Sequence, residues 1–157
     1  MKTIVHTDKE HIEAVIQKCD VCFVGMVDSN NFSYVIPMNF GYQDGVIYLH
    51  SGPEGKHLSI LEQNPNICIT FCTERKLIYQ HPDVACSYSM CANSVLAHGE
   101  VEFIEDMNEK TDILNIIMKQ YSDKTFQYSD PAVKNVKIWK VKPKSVTCKE
   151  FGVSAKR

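Results

Sequence analysis

The stretch Tyr34–Pro65, YVIPMNFGYQDGVIYLHSGPEGKHLSILEQNP, decides the fold of this chain. Its first part, Tyr34–Tyr42, and the later segment Val46–His50 are rich in aromatic and β-favouring residues, which indicates strands. Asp44-Gly45 lies between them, and glycine tolerates the positive φ that a tight hairpin turn requires. The stretch therefore predicts two paired strands joined by a tight turn.

The polar loop after this hairpin leads into a short helix. The loop, Ser51–Lys56, contains a hydroxyl, two glycines and a cation just before a helix predicted over Lys56–Gln63. Backbone amides and a positive side chain at a helix N-terminus suit a phosphate group. Two interpretations stay open: an ordinary turn, or a cradle for the phosphate of a flat cofactor that lies on the hairpin. The loop is not a Walker P-loop, because its glycine spacing is too short and His57 replaces the hydroxyl residue.

Length and composition predict one globular domain that spans residues 1–157. The chain is 44% hydrophobic and 23% charged, as globular domains are. Its net charge of −2 does not indicate binding to nucleic acid or to an acidic membrane surface, and no apolar run is long enough to span a bilayer. Seven cysteines, without an apolar signal core at the N-terminus, predict reduced thiols and a cytoplasmic location.

The rest of the chain predicts a mainly β protein with helices. Further strands are expected over Val21–Val27, Ile67–Thr73, Ser87–Ile104, Val136–Val141 and Ser145–Phe151, and Glu74–Pro82 is irregular. Further helices are expected over Asp8–Lys18 and after Asp106, the latter with a buried stripe of Leu114, Ile117, Met118 and Tyr121. Ser129–Pro131 is expected to be a turn. Hairpins dominate this order, which favours an antiparallel barrel over a parallel α/β sheet.

Few residues indicate chemistry by spacing alone. Cys19-Asp-Val-Cys22 has no second pair and runs into an apolar segment, so buried structural thiols are favoured over zinc. His50 ends the hairpin strand beside the loop, and it is either a polar residue at a strand end or a catalytic residue. Trp139 is the only tryptophan, and it is either a core or interface aromatic or a partner for a stacked cofactor.

The run IPMNFGYQDGVIYLHSGPEGKHLSILEQNPNICITF resembles the first half of the flavin-binding split barrels, the group that includes pyridoxamine 5′-phosphate oxidase. The resemblance is closest to the nitroimidazole-resistance (Nim-type) branch. It rests on the order and spacing of Pro37–Tyr42, Asp44-Gly45, Leu49–Ser51, Glu54–His57 and Asn64-Pro65. The segment from Ser94-Val95 to Phe103 shows a weaker similarity to the same family.

This resemblance implies a split β-barrel homodimer with flavin sites at the subunit interface. Ser51, Lys56 and His57 would hold the flavin phosphate, and the strand around Met38 and Asn39 would face the isoalloxazine. Ser94 and Val95 would add contacts, from the same subunit or from the partner subunit, and His50 matches a histidine near the flavin of Nim-type proteins. The candidate cofactor-binding residues are thus Pro37, Met38, Asn39, His50, Ser51, Lys56, His57, Ser94, Val95 and Trp139.

The resemblance implies a cytoplasmic flavin-dependent oxidoreductase that reduces small nitroaromatic compounds, with FMN as the expected cofactor and FAD as the alternative. His50 is the candidate catalytic residue. The ending SVTCKEFGVSAKR lacks the arginine- and histidine-rich pattern of pyridoxamine phosphate oxidases, so pyridoxamine oxidation is less favoured. Two other hypotheses are a non-catalytic flavin- or haem-binding sensor or carrier, and a purely structural interaction protein. His57 replaces the usual second basic residue of the loop, which predicts a weaker and more pH-dependent phosphate anchor.

Overall fold

Nine β-strands form an antiparallel sheet in the computed structural model, which describes residues 2–153 apart from the side chain of Glu74. The strands are β1 (Lys2–His6), β2 (Cys22–Val27), β3 (Ser33–Met38), β4 (Phe40–Gln43), β5 (Val46–Ser51), β6 (Asn66–Ile78), β7 (Ser89–Ile104), β8 (Lys137–Val141) and β9 (Ser145–Val153). The same residues form the helices α1 (Lys9–Gln17), α2 (Lys56–Gln63), α3 (Met107–Lys119) and α4 (Asp130–Asn135). None of these helices is long and apolar enough to cross a bilayer.

The long strand β7 connects the two parts of the sheet. One side of β7 pairs with β6, and the strand order is β3-β2-β6-β7-β8-β5-β4. On its other side, Ala92–His98 pairs with β9, whereas Val101–Ile104 pairs with β8. The sheet therefore divides along β7, and its two parts curl around a common core.

Two apolar clusters hold this curled sheet together. The larger cluster lies inside it and contains side chains from both parts, among them Val24, Ile69 and Trp139. The smaller cluster consists of Ile104, Ile113, Ile117 and Ile138, and packs α3 against the outer side of β5, β7 and β8. Because strand side chains alternate between faces, β5 contributes to both clusters.

The structure confirms the main local predictions around the opening stretch. The hairpin turns at Asp44 and Gly45, whose φ values are 53° and 82°, as a tight turn between twisted strands requires. Helix α2 has the predicted bounds and buries the predicted Leu58 and Leu61. Asp106 caps α3 by accepting hydrogen bonds from the amides of Asn108 and Glu109 at 3.0 and 2.9 Å.

The predicted single strand Tyr34–Tyr42 is wrong, because the chain divides it at Asn39. The first part, β3, pairs with β2 at the sheet edge, and the second, β4, pairs with β5. Pro37 has no amide hydrogen to donate. It is tolerated in β3 because β3 is at the edge of the sheet. The amide of Phe40 donates instead to the hydroxyl of Tyr121 at 2.9 Å.

Three further expectations were wrong in detail. Strand β6 continues to Ile78, through residues predicted to be irregular, with a register shift between Thr73 and Lys76. The predicted turn Ser129–Pro131 is the start of α4, where proline at the first turn suits a helix. Tyr121 lies beyond α3 and is partly exposed rather than in the buried stripe, because its hydroxyl is used to bind Phe40 and the carbonyl of Asp20.

The contact between β4 and α3 yields a stability prediction. A Cβ atom at Gly41 would lie 2.8 Å from both the Cα and the amide nitrogen of Ile117, which are backbone atoms that cannot rotate away. We expect Gly41→Ala to lower the free energy of unfolding by about 1–3 kcal/mol in urea denaturation. Gly52→Ala is the matched control, since a Cβ there meets nothing within 4 Å. Equal loss in the two variants would contradict the close packing of α3 on β4.

Candidate functional site

The loop that precedes α2 makes an unusually close approach to the helix it starts. Gly55 is the N-cap residue, with φ 144°, a conformation that residues with side chains rarely adopt. A Cβ atom at this position would lie 2.5 Å from Cε1 of His57. The carbonyl of Gly55 accepts a hydrogen bond from the amide of Leu58 at 3.0 Å. Glycine is therefore needed both for the backbone and for the fit against His57.

The N-terminus of α2 has a positive electrostatic character. No side chain of residues 2–153 caps it, and its first turn contains no acidic residue. The amides of a first helical turn have no intrahelical partners, and the helix dipole adds partial positive charge there. Lys56 is exposed at this end, and its Nζ lies 5.1 Å from the ring centre of Tyr34. This end of α2 thus offers an anion both amides and a cation.

Ser51, His57 and Trp139 come together although they lie far apart in the sequence. The indole Nε1 of Trp139 donates to Oγ of Ser51 at 3.2 Å, and that hydroxyl donates to the carbonyl of Gly52 at 3.0 Å. The rings of His57 and Trp139 have their centres 5.4 Å apart. Trp139 itself is fully buried. The core tryptophan therefore positions two of the residues predicted to hold a phosphate.

His50 lies on the opposite face of β5 from Ser51. Leu49 belongs to the large core cluster, whereas Tyr48 packs against the cluster under α3. By strand alternation His50 points to the α3 side as Tyr48 does. Its Nδ1 is buried without a hydrogen-bond partner among residues 2–153, and burial lowers its pKa. His50 is therefore a neutral imidazole at neutral pH.

The predicted residues Pro37, Met38 and Asn39 lie where the chain leaves β3. Met38 is buried, and Pro37 and Asn39 are exposed. The side-chain amide of Asn39 donates to the carbonyl of Asp20 at 3.4 Å. Pro37 and Asn39 are therefore exposed at the sheet edge, whereas the side chain of Met38 belongs to the large core cluster. Their contact with a cofactor stays a prediction.

Ser94 and Val95 lie farther from the loop within one chain. Val95 is fully buried in the core, so only its backbone could meet a ligand. Ser94 is half-buried and pairs with Cys72 and Lys149 across the sheet. Phe103 is the residue of β7 whose ring packs against Trp139. It lies nine residues beyond Ser94, which corresponds to roughly 30 Å along the strand. The structure does not bring these two residues to the loop of their own chain.

A cleft of about 490 Å³ lies beside the loop, lined by Gly55, Leu58, Phe103 and Lys137 among others. Lys137 pairs with Glu105 at 3.0 Å, and the ammonium group lowers the pKa of that carboxyl. The cleft combines one aromatic wall with a charged rim, at which the carboxylates of Glu54, Glu62 and Glu105 accompany Lys137. A ligand with an anionic end at α2 and a flat apolar part could lie along such a surface.

Sequence patterns missed two residues of this site, Tyr34 and Phe103. Tyr34 stands 22 residues before Lys56, and only the folded path of β3 past α2 brings its ring under the ammonium group. Phe103 contacts Trp139 because the two are directly opposite on paired strands. The residue pattern within one strand predicts neither contact, because each contact joins two segments that are far apart in the sequence.

The half-buried imidazoles of His50 and His57 predict how stability depends on pH. Burial lowers the pKa of both His50 and His57 below the value of about 6.5 that histidine has in an unfolded chain. Between the lowered and the ordinary value the unfolded chain binds more protons, so acid favours unfolding. We expect the free energy of unfolding to be highest above about pH 6.5 and to fall as the pH drops through that window.

Urea unfolding at a series of pH values measures this dependence. The double variant His50→Gln, His57→Gln should show a weaker decline between neutral and mildly acidic pH than the parent chain. An unchanged decline in the double variant would show that other groups titrate.

Comparison with known proteins places this fold and loop in a class. A family model described as pyridoxamine 5′-phosphate oxidase matches residues 8–150. A solved structure, a proposed 5-nitroimidazole antibiotic resistance protein from Bacteroides thetaiotaomicron VPI-5482, is 53% identical to this chain. The match covers 95% of this chain and 87% of that chain, with a TM-score of 0.87. No curated protein matches the chain significantly.

Two more distant structures share the fold. The flavocytochrome Anf3 from Azotobacter vinelandii is 19% identical over 95% of this chain and 70% of that chain, with a TM-score of 0.82. An FAD and heme binding protein from Mycobacterium smegmatis is 12% identical over 98% of this chain and 76% of that chain, with a TM-score of 0.85. At these identities the likeness shows the fold alone.

The curled antiparallel sheet, divided along β7, is a split β-barrel of the pyridoxamine 5′-phosphate oxidase type. The expected mainly β, antiparallel split barrel is thus confirmed. The chain belongs to the pyridoxamine 5′-phosphate oxidase-like family, and a proposed 5-nitroimidazole resistance protein is among its relatives.

Proposed function

We propose that this chain is a flavin-dependent oxidoreductase that reduces small nitroaromatic compounds, 5-nitroimidazoles among them. The observation that carries the proposal is the 53% identity, over 95% of the chain, to a proposed 5-nitroimidazole antibiotic resistance protein. The positive N-terminus of α2, directly after the hairpin, supports it by offering an anchor for a phosphate-bearing cofactor. FMN is the proposed cofactor, with FAD as the alternative.

The residues of the loop fit a flavin phosphate. Nε2 of His57 is buried without a hydrogen-bond partner among residues 2–153, and Lys56 is an exposed cation one residue away. At Gly55 the missing side chain leaves room for the His57 ring, which holds that imidazole against the start of α2. Ser51 contributes less than the resemblance implies, because its hydroxyl already bonds Trp139 and Gly52. We assign Lys56, His57 and the first amides of α2 as the principal anchors.

A bound flavin supplies electrons in pairs, which together with two protons convert a nitro group to a nitroso group and water, and NAD(P)H is the proposed source. The protein positions the cofactor and tunes its surroundings. Asn39 and the backbone of Met38, where β3 ends, face the ring system in this proposal, because the Met38 side chain is buried in the core. His50 lies on the face of β5 opposite to Ser51, so in this proposal it meets only a part of the ligand that extends past the strand end. His50, neutral through burial, then orients the substrate by donating or accepting a hydrogen bond.

We further propose that the protein works as a homodimer with flavin at the interface. Phe23, Val27 and Val35 share the outer face of β2 and β3 and are 47, 41 and 59% exposed. Such an apolar strip on a sheet face is typical of an interaction surface. A second copy would also explain the predicted role of Ser94, which lies far from the loop of its own chain. Sedimentation equilibrium of the flavin-loaded protein measures this directly, and a monomer would contradict the dimer.

Reduction of a 5-nitroimidazole by the purified, flavin-loaded protein with NADH or NADPH tests the activity. Loss of the nitro absorption, at a rate that depends on protein concentration, is the expected result. Free FMN at equal concentration is the control for uncatalysed reduction. A protein that binds flavin but reduces no nitro acceptor with either donor would contradict the reductase and favour a non-catalytic flavin carrier.

Pyridoxamine 5′-phosphate and oxygen form the second arm of the same assay. The family name makes this substrate the natural competitor for the proposed one. Residues 145–157 lack the arginine- and histidine-rich pattern of those oxidases, and residues 154–157 lie outside the described part. We expect no pyridoxal 5′-phosphate to form. Its formation at a rate above that of nitro reduction would overturn the proposed substrate class.

A further inference from the structure

A cysteine and a histidine face each other on the outer surface of the sheet, beside Val27 and Val35. Cys68 on β6 and His98 on β7 are directly opposite in the antiparallel ladder. The thiol Sγ lies 3.7 Å from Nε2 of the imidazole. Both residues lie on paired strands within the sheet, so the backbone holds this separation firmly. No three histidine, cysteine or acidic side chains of residues 2–153 form a metal cluster, so the pair has no third ligand of these types.

The separation of the two atoms matches two ligands of one tetrahedral metal ion. Zinc bonds thiolate sulfur at about 2.3 Å and imidazole nitrogen at about 2.0–2.1 Å. At the tetrahedral angle these bonds place sulfur and nitrogen about 3.6 Å apart. The observed separation is nearly the same, so an ion could bind between them without a change in the strands. In its absence the thiol proton occupies this position, in a weak hydrogen bond.

Within a single chain the space over the pair is open to an ion, although the groove shares Val27 and Val35 with the proposed dimer face. A surface groove of about 390 Å³ contains Cys68 and His98, and Gly25 lies next to Cys68 in the ladder without a side chain to cover it. None of the residues found to line this groove is lysine or arginine, so no basic side chain of the lining repels a cation. Asn66 adds a polar side chain on the same rim.

We infer that Cys68 and His98 chelate one thiophilic divalent ion per chain, of the zinc or cadmium type. The ion replaces the thiol proton, which passes to solvent, and binds Sγ and Nε2 while water fills the remaining positions. With only two protein ligands the ion exchanges readily, unlike the ion of a structural zinc site with four. The site requires neither flavin nor the proposed reductase activity.

Titration of the full-length, reduced protein with Cd²⁺ tests this site, because cadmium bound to thiolate absorbs in the ultraviolet. We expect the strongest binding to saturate at one ion per chain. Cys68→Ser and His98→Gln should each weaken it by about tenfold or more, since each removes one of two ligands. Cys86→Ser removes an exposed thiol elsewhere and is the matched control, expected to bind as the parent does.

Three results would overturn the inference: unchanged cadmium affinity in Cys68→Ser, unchanged affinity in His98→Gln, or an equal loss in Cys86→Ser. Circular dichroism of each variant checks that it is folded. X-ray absorption of the cadmium complex gives a second readout that does not depend on variants. One sulfur and one imidazole in its first shell support the site, and several sulfurs contradict it.

Discussion

Trp139→Ala is expected to lower the free energy of unfolding of the flavin-free protein by about 3–5 kcal/mol, as truncation of a buried tryptophan does. Trp139 has no exposed surface and packs edge-on against Phe103, with ring centres 6.2 Å apart. The change also leaves Ser51 without its indole donor. The loss is a large part of the about 5–15 kcal/mol that stabilises a typical domain. Urea denaturation without flavin measures it.

Phe32→Ala is the matched control for Trp139→Ala. Phe32 is an aromatic residue that is 70% exposed, so its truncation should change the free energy of unfolding by about 0.5 kcal/mol or less. Since no flavin is present in the measurement, it separates the two interpretations of Trp139. A loss below about 1 kcal/mol in Trp139→Ala would contradict its place in the core and favour a residue that only stacks on a cofactor.

Lys56→Ala is expected to weaken flavin binding by about ten- to hundredfold. A hydrogen bond to a charged group contributes about 1.5–3 kcal/mol, and about 1.4 kcal/mol corresponds to a tenfold change in affinity. Lys56 is exposed and its ammonium group contacts only the ring of Tyr34 among the described interactions, so the fold should tolerate the change. Titration of FMN, followed by flavin fluorescence, measures the affinity.

Lys124→Ala removes an exposed lysine away from the loop and is the control for net charge. It should bind FMN as the parent chain does. Riboflavin, which lacks the phosphate, provides a second control, since Lys56→Ala should hardly change its affinity. If Lys56→Ala bound FMN and riboflavin with the parent's affinities, the anchor would lie elsewhere.

Local signals predicted the part of the fold that surrounds the site. Asp44-Gly45 set the hairpin, because a turn with two positive φ values leaves few alternatives. Helix α2 was predicted with its observed bounds, since Gly55 precedes it and Asn64-Pro65 ends it. Strand β1 was missed because its residues are mostly exposed, and only the pairing with β9, more than 130 residues away, makes it a strand.

The candidate site was less predictable, since its contacts join distant segments. The bond between Ser51 and Trp139 spans 88 residues, and no spacing within a segment predicts it. The orientation of His50 could have been predicted from strand alternation, because Leu49 is a core residue on the same strand. The roles of Ser94 and Val95 stay predictions, because they depend on a second subunit.

The absorption spectrum of the purified protein, after incubation with FMN and removal of free flavin, tests the central claim most directly. We predict flavin bands that stay with the protein, in an amount equal to the chain, and that are lost in Lys56→Ala. Incubation with FAD under the same conditions tests binding of the alternative cofactor. A protein that stays colourless with both flavins, or one that shows a haem Soret band instead, would contradict the assignment of the loop as a flavin phosphate anchor.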